Sequence, residues 1–186
     1  MSLAATSLPR RAFSIAEVER MVEAGVFDRD EKFELIDGEI VPMSPQRRLH
    51  AVLRDRVAKS LEAQLSGGLE TYQELTVRVG KSLFEPDVVV APRQPLTRDY
   101  APIEDMRLVI EVADSSLARD RDVKAPEYAK AGLAELWVLD VEAGQTLCMR
   151  QPGPQGYGEV LAIAFSEPLA PLCAPGAALS IAELLR

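Results

Sequence analysis

Two apolar runs, FEPDVVVAP from Phe84 to Pro92 and RLVIEV from Arg107 to Val112, each carry a carboxylate among residues that belong in a core. Val88, Val89 and Val90 follow Asp87, while Leu108, Val109, Ile110 and Val112 flank Glu111. Short β-branched runs with turn residues on both sides read as core strands. A carboxylate inside such a strand loses its hydration, and burying it unpaired is expensive. Asp87 and Glu111 therefore each require a cation, a hydrogen-bond donor or a metal.

The chain has 186 residues, a length that suits one domain with a sizeable core. We expect a flexible lead over residues 1–12 and a single domain over 13–186. No apolar run approaches the about 18 residues of a membrane span, and the N-terminus MSLAATSLPRR lacks a signal-peptide apolar stretch. Cys148 and Cys173 have no metal-ligand spacing; they could form one disulfide, but two scattered thiols without an export signal point to reduced cysteines and a cytoplasmic protein. The formal net charge of −8 disfavours broad, nonspecific attraction to nucleic acid. It leaves room for a local basic face or a site whose metal supplies the positive charge.

Taken in order, Ser14-Ile15-Ala16-Glu17 is a capping box that opens a first helix ended by Gly25. Asp37-Gly38 between alternating segments marks a two-residue hairpin, with Phe33 and Leu35 on one face and Glu34 and Ile36 on the other. Glu34 and Glu39 lie on the hairpin that leads into the long helix, where either could join the site, but as hairpin charges both are expected to be exposed. Ser44-Pro45 predicts the start of the longest helix, running to about Ser66 and stopped by Gly67-Gly68. Leu49, Val52, Leu53, Val57, Leu61 and Leu65 form its apolar stripe. Arg47, Arg48, Arg54, Arg56 and Lys59 make this the most basic stretch, read either as a solvated face or as a phosphate-facing surface.

Three strands are predicted next, over 71–79, 83–91 and 107–113. A Pro-rich loop with Arg93 and Arg98 joins the last two. A short helix near Val123 to Ala131 must hold Pro126 in its first turn. A buried strand over 136–141, with Trp137 in the core, completes a strand–helix–strand unit that favours a parallel crossover. Segments 145–150 and 158–165 read as an antiparallel pair, and Ser180 caps a last helix. The mixture of hairpins and one crossover implies an α/β (α+β) fold with a mixed sheet and helices on its faces.

If the two acid-bearing strands pair, Asp87 and Glu111 converge, and like charges that close need a cation. Mg²⁺ fits, because it takes oxygen ligands and keeps several waters. Such an ion acts as a Lewis acid toward phosphate, and a nearby ammonium steadies developing negative charge. Lys124, starting the helix after the Glu111 strand, is the candidate. Each residue also has a plainer reading: a turn for Asp87, a structural ion pair for Glu111, a solvated lysine for Lys124.

The ordered set PD with VVV behind it, LVIEV, DSS, Asp120, Lys124, Tyr128-Ala-Lys-Ala-Gly132 and Glu135-Leu-Trp137-Val-Leu-Asp140 resembles the Uma-two family, a branch of the PD-(D/E)XK nuclease superfamily. FELIDGEIVPMSP with His50 is similar to that family's N-terminal half. The resemblance covers about Phe33 to Asp140, with a weaker match in the C-terminal tail and last helix. PD alone is a weak motif; the ordered set is specific.

The resemblance implies a restriction-endonuclease-like core of helix, strand, strand, strand, helix and strand, with an N-terminal helix and hairpin and C-terminal antiparallel strands added. It implies metal ligation by Asp87 and Glu111, with Mg²⁺ or Mn²⁺ as the ion. The usual lysine position, two residues after the glutamate, holds Ala113 here, so the resemblance moves the lysine's role to Lys124. His50, the only histidine, falls where related nucleases often place an auxiliary acidic group, and could contact a metal-bound water or a phosphate; its plainer reading is a partly exposed helix histidine. Asp120 either pairs with Lys124 or fixes the preceding loop, and Tyr128 is core or site edge. The expected function is Mg²⁺-dependent cleavage of DNA by a homodimer with no membrane association. Two other classes stay open: a catalytically inactive nucleic-acid-binding or regulatory domain on the same fold, and an assembly module.

Overall fold

The computed structural model describes residues 11–95, 97 and 99–186. Most of the expected lead over 1–12, and Arg98 in the Pro-rich loop, lie outside the described residues. Helix α1 spans Ile15–Glu23 and carries the capping box: the Ser14 side chain accepts from the Glu17 amide and Glu17 returns a bond to the Ser14 amide. Strands β1, Phe33–Ile36, and β2, Glu39–Pro42, pair antiparallel. Asp37 and Gly38 both take positive φ, 51° and 83°, as a twist-matched two-residue turn requires. A Cβ on Gly38 would lie 2.7 Å from that of Ala12, so the position excludes larger residues on space as well as conformation.

Helix α2 covers Arg48–Glu62, not Ser44 to about Ser66. The residues from Met43 to Arg47 stay irregular, and Arg47 stands at the N-cap without a side-chain cap bond. Leu53, Val57 and Leu61 are buried as the stripe predicts, but Leu49 and Val52 are exposed. Two of the five cations of the basic stretch are neutralised locally: Arg54 pairs with Glu74 and Lys59 with Asp55.

The predicted long strands break. The first divides into β3, Leu69–Gln73, and β4, Val77–Val79; the second into β5, Ser82–Phe84, and β6, Val88–Pro92. Glu74 takes a left-handed φ of 51° at the first break, and Pro86, which cannot donate to a ladder, lies in the second. Each half joins a different sheet. Strand β7 is Ala101–Pro102, β8 Leu108–Ala113, β9 Glu135–Asp140, β10 Gln145–Gly153 and β11 Gly156–Ala164. A five-stranded sheet runs β2-β1-β5-β4-β7 and a six-stranded one β11-β10-β9-β8-β6-β3. Strands β8 and β9 are parallel, as the crossover predicted, and β6 and β8 antiparallel. The β10–β11 hairpin closes at Gly153 and Gly156, slightly beyond the expected turn.

The crossover is helical from Leu117. Helix α3, Leu117–Arg119, runs through a π-turn, Asp120–Lys124, into helix α4, Ala125–Lys130. Pro126 is therefore not in the first turn of the helical run. It brings no N–H and crowds the carbonyl four residues back; a wide turn just upstream relieves that conflict, and the Ala125 amide reaches Asp120 O instead. Such turns recur at functional sites.

Two core layers flank the large sheet. Helix α2 and the C-terminal segment, including α5, Ile181–Leu184, cover one face. The small sheet and α4 cover the other, where Phe84, Val109, Ala125 and Tyr128 meet. A smaller cluster holds α1 on β1 and β5 through Val18, Leu35 and Leu83. Ser180 precedes α5 as predicted, but its hydroxyl donates to Phe165 O rather than capping.

Fully buried Glu135 ties down the C-terminal tail. Its carboxylate accepts from Trp137 Nε1, Arg150 Nε and Nη2, and the Leu172 amide at 2.6 Å. Glu135→Ala strands an arginine and two further donors, so urea unfolding should show a loss of about 3 kcal/mol. Both cysteines are free. Burial, with Glu135 beside it, pushes the Cys148 thiol up to about 12, so it stays protonated and inert. Among the described residues no helix is long and apolar enough to cross a membrane.

Candidate active site

Asp87 and Glu111 meet where β6 begins and β8 nears its end. The β6–β8 register pairs Val88 with Ile110, and one step further sets Asp87 beside Glu111. Both are buried, at 7% and 3% exposure. The Val112 amide donates to Asp87 Oδ2 at 2.7 Å, which fixes that carboxylate to the neighbouring strand. On β8, Val109, Glu111 and Ala113 share the face toward α4, while Leu108, Ile110 and Val112 face α2. Alternation thus aims Glu111 at the helical crossover.

Lys124 comes from the end of the π-turn. Its Nζ lies 2.6 Å from Glu111 Oε1 and 2.9 Å from Glu34 Oε1, and 5.4 Å from the centre of the Phe84 ring. The Tyr128 hydroxyl donates to Glu111 Oε1 at 2.9 Å, so Tyr128 is both core and site edge. Asp120, on the same π-turn, is buried and accepts from the Ser116 hydroxyl; that bond anchors the loop after β8, the second of its two expected roles. His50 sits in the first turns of α2 with Nε2 3.1 Å from Asp87 Oδ2, while its buried Nδ1 has no protein partner. Its side chain is 14% exposed, so it is a partly exposed helix histidine, as in the plainer reading, that also contacts Asp87.

Glu34 overturns an expectation. It is 2% exposed, accepts from the Glu85 amide at 3.0 Å and completes the ion pair with Lys124. The signal was present, because Glu34 interrupts FELI as Glu111 interrupts LVIEV. Glu39 is exposed, as expected.

Electrostatically the cluster is short of positive charge. Burial works against the Lys124 ammonium, but Glu111, Glu34 and Asp120 outweigh it and hold the amine well above its ordinary range. Burial raises the Glu111 carboxyl well above its usual value; Lys124 opposes this, while Asp120, Asp87 and Glu34 reinforce it. Burial raises Asp120 in the same way, reinforced by Asp87 and Glu34. One ammonium thus serves three acids, Glu111, Glu34 and Asp120, while Asp87 beside them is held by the Val112 amide and His50.

A cleft of about 120 Å³ opens over these residues. Its floor includes Asp87, Glu111, Glu34 and Lys124, and its walls come from Met43 to Arg47 and from Asp114 to Arg119. Among the described residues no three His, Cys, Asp or Glu side chains form a ligand group for a metal. Two converging carboxylates beside an open cleft fit Mg²⁺, which is bound through one or two carboxylates and otherwise by water and phosphate oxygens.

A mixed sheet bearing acids at the junction of adjoining strands, with a helical crossover behind them, defines a restriction-endonuclease-like architecture. The chain belongs to the Uma2 family, whose model, described as "Putative restriction endonuclease", matches residues 15–182. Among solved structures it is similar in fold to "a putative nuclease belonging to DUF820" from Anabaena variabilis ATCC 29413. That match has a TM-score of 0.73 at 17% identity and covers 93% of this chain and 97% of the other. A comparison with curated proteins gave no significant match.

Proposed function

We propose that this protein is a Mg²⁺-dependent endonuclease hydrolysing phosphodiester bonds in DNA, with Mn²⁺ as an alternative ion. The observation that carries the reading is the convergence of Asp87, Glu111 and Lys124 on one cleft floor. Membership of a family whose model is described as "Putative restriction endonuclease" supports DNA as the substrate.

In this reading Asp87 and Glu111 hold the ion, which when bound supplies Lewis acidity to a phosphate oxygen and to water. The Lys124 amine, kept charged by its carboxylate neighbours, orients the attacking water or steadies charge developing at phosphorus. Glu34 and Tyr128 fix the amine and Glu111 in place through the bonds described above. His50, bonded to Asp87 through Nε2, assists from the α2 side. A homodimer would supply two such sites related by a two-fold axis, one for each strand. A second reading, binding without cutting, draws on the tight engagement of Lys124 by two carboxylates, an arrangement that also serves as a structural ion pair.

Incubation with supercoiled, linear and single-stranded DNA separates the two. Cleavage that requires Mg²⁺ or Mn²⁺ and stops with a chelator is the expected result. Retention of DNA without any cleavage at millimolar divalent ion would leave only the binding reading.

A further inference from the structure

The acidic floor creates a difficulty for an anionic substrate, and the cleft walls hold the answer. Arg47 and Arg119 line the cleft from the two segments that enclose it. Some exposed cations in this acidic protein are neutralised nearby, such as Lys59 by Asp55, Lys81 by Asp37 and Arg121 by Asp122; others, such as Arg29 and Arg48, carry no ion pair among the described residues, and Arg47 and Arg119 differ from those in lining the cleft. Arg47 and Arg119 make no ion pair and no side-chain hydrogen bond among the described residues. Arg119 stays unpaired although Asp120 follows it in the chain; that carboxylate turns inward to Ser116.

Two uncommitted guanidiniums therefore stand above buried carboxylates. A guanidinium presents a planar fork that matches phosphate oxygens bidentately, and cations in a cleft raise the local concentration of an anionic ligand. The wall segments also explain themselves on this view. Residues Met43 to Arg47 remain irregular despite the helix-start signal at Ser44-Pro45, and this keeps Arg47 at the cleft instead of within α2.

We propose that Arg47 and Arg119 grip the DNA backbone on either side of the scissile phosphate, so that binding energy from flanking phosphates carries the reacting one down to the acidic floor. This rests on the nuclease reading for the identity of the scissile phosphate, but the grip itself is measured by binding alone.

The test uses the full chain, a fluorescently labelled 20-base-pair DNA duplex and Ca²⁺ as a hard cation in place of Mg²⁺. Arg47→Gln and Arg119→Gln remove charge without breaking any intramolecular pair, and Arg29→Gln, which does not line the cleft, is the control. Each cleft variant should weaken binding about tenfold at 0.1 M salt and lower the slope of log affinity against log salt by about 0.9, the share of one phosphate contact. The control should stay within about twofold of the parent, since its charge lies outside the cleft lining and is screened. Unchanged affinity and slope in both cleft variants would overturn the grip, and cleavage by the parent would then still uphold the nuclease reading. A parent that shows these slopes but never cuts with Mg²⁺ or Mn²⁺ would keep the grip and remove the cutting. A parent with no measurable DNA binding would overturn both.

Discussion

Glu111→Gln is expected to reduce metal-dependent DNA cleavage by about a thousandfold, the equivalent of about 4 kcal/mol of transition-state stabilisation, while the protein still folds. The amide keeps an acceptor oxygen for the Tyr128 hydroxyl and for Lys124, which now meet Oε1. What disappears is one anionic oxygen donor of a two-carboxylate site. Asp87→Asn should lose activity to a similar degree. A thermal melt isolates the ion from the chemistry. A ligand that binds only the folded state stabilises it by mass action, so Mg²⁺ should raise the melting temperature of the parent and leave Glu111→Gln unmoved. Full cleavage by both variants would remove Asp87 and Glu111 from metal ligation.

Lys124→Met should damage stability and activity together. The ammonium is 4% exposed and bridges Glu34 and Glu111. Removing it leaves buried acids without their shared cation, a change of about 3–5 kcal/mol. For a chain of this size that corresponds to a fall in melting temperature of about 10 °C. Stability and chemistry come apart in the double variant Lys124→Met/Glu34→Gln. Deleting one of the stranded negative charges should restore much of the melting temperature, and cleavage should stay lost because the amine is still missing. Recovery of cleavage in the double variant would show that Lys124 serves only to balance charge.

Local patterns carried much of the architecture. The capping box at Ser14, the turn at Asp37-Gly38 and the parallel strands around the crossover each depend on residues close in sequence, and each was legible there. So was the convergence of Asp87 with Glu111, because two acids in adjacent core strands have few places to go. The misread features depend on distant partners. Nothing near Glu34 announces that an amine from the crossover will neutralise it. The strand breaks at Glu74 and Pro86 have a weak local signature, since a left-handed glutamate replaces the glycine that would have flagged one of them. The early start of the crossover helix escaped notice because Pro126 looks like a first-turn proline, and only the π-turn lets it sit deeper. Ser44-Pro45 has the chemistry of a helix start, but the chain extends past it and contributes a cleft wall.

Those breaks also govern when the cluster can exist. The chain passes between the two sheets at both breaks and at three other connections, and the assembled site needs Glu34 from the smaller, Glu111 from the larger and Asp87 at one of the crossing points. Neither sheet alone holds the set. A fluctuation that parts the sheets, even with every strand intact, dismantles the constellation at once, so the site reports on tertiary docking and not on secondary structure.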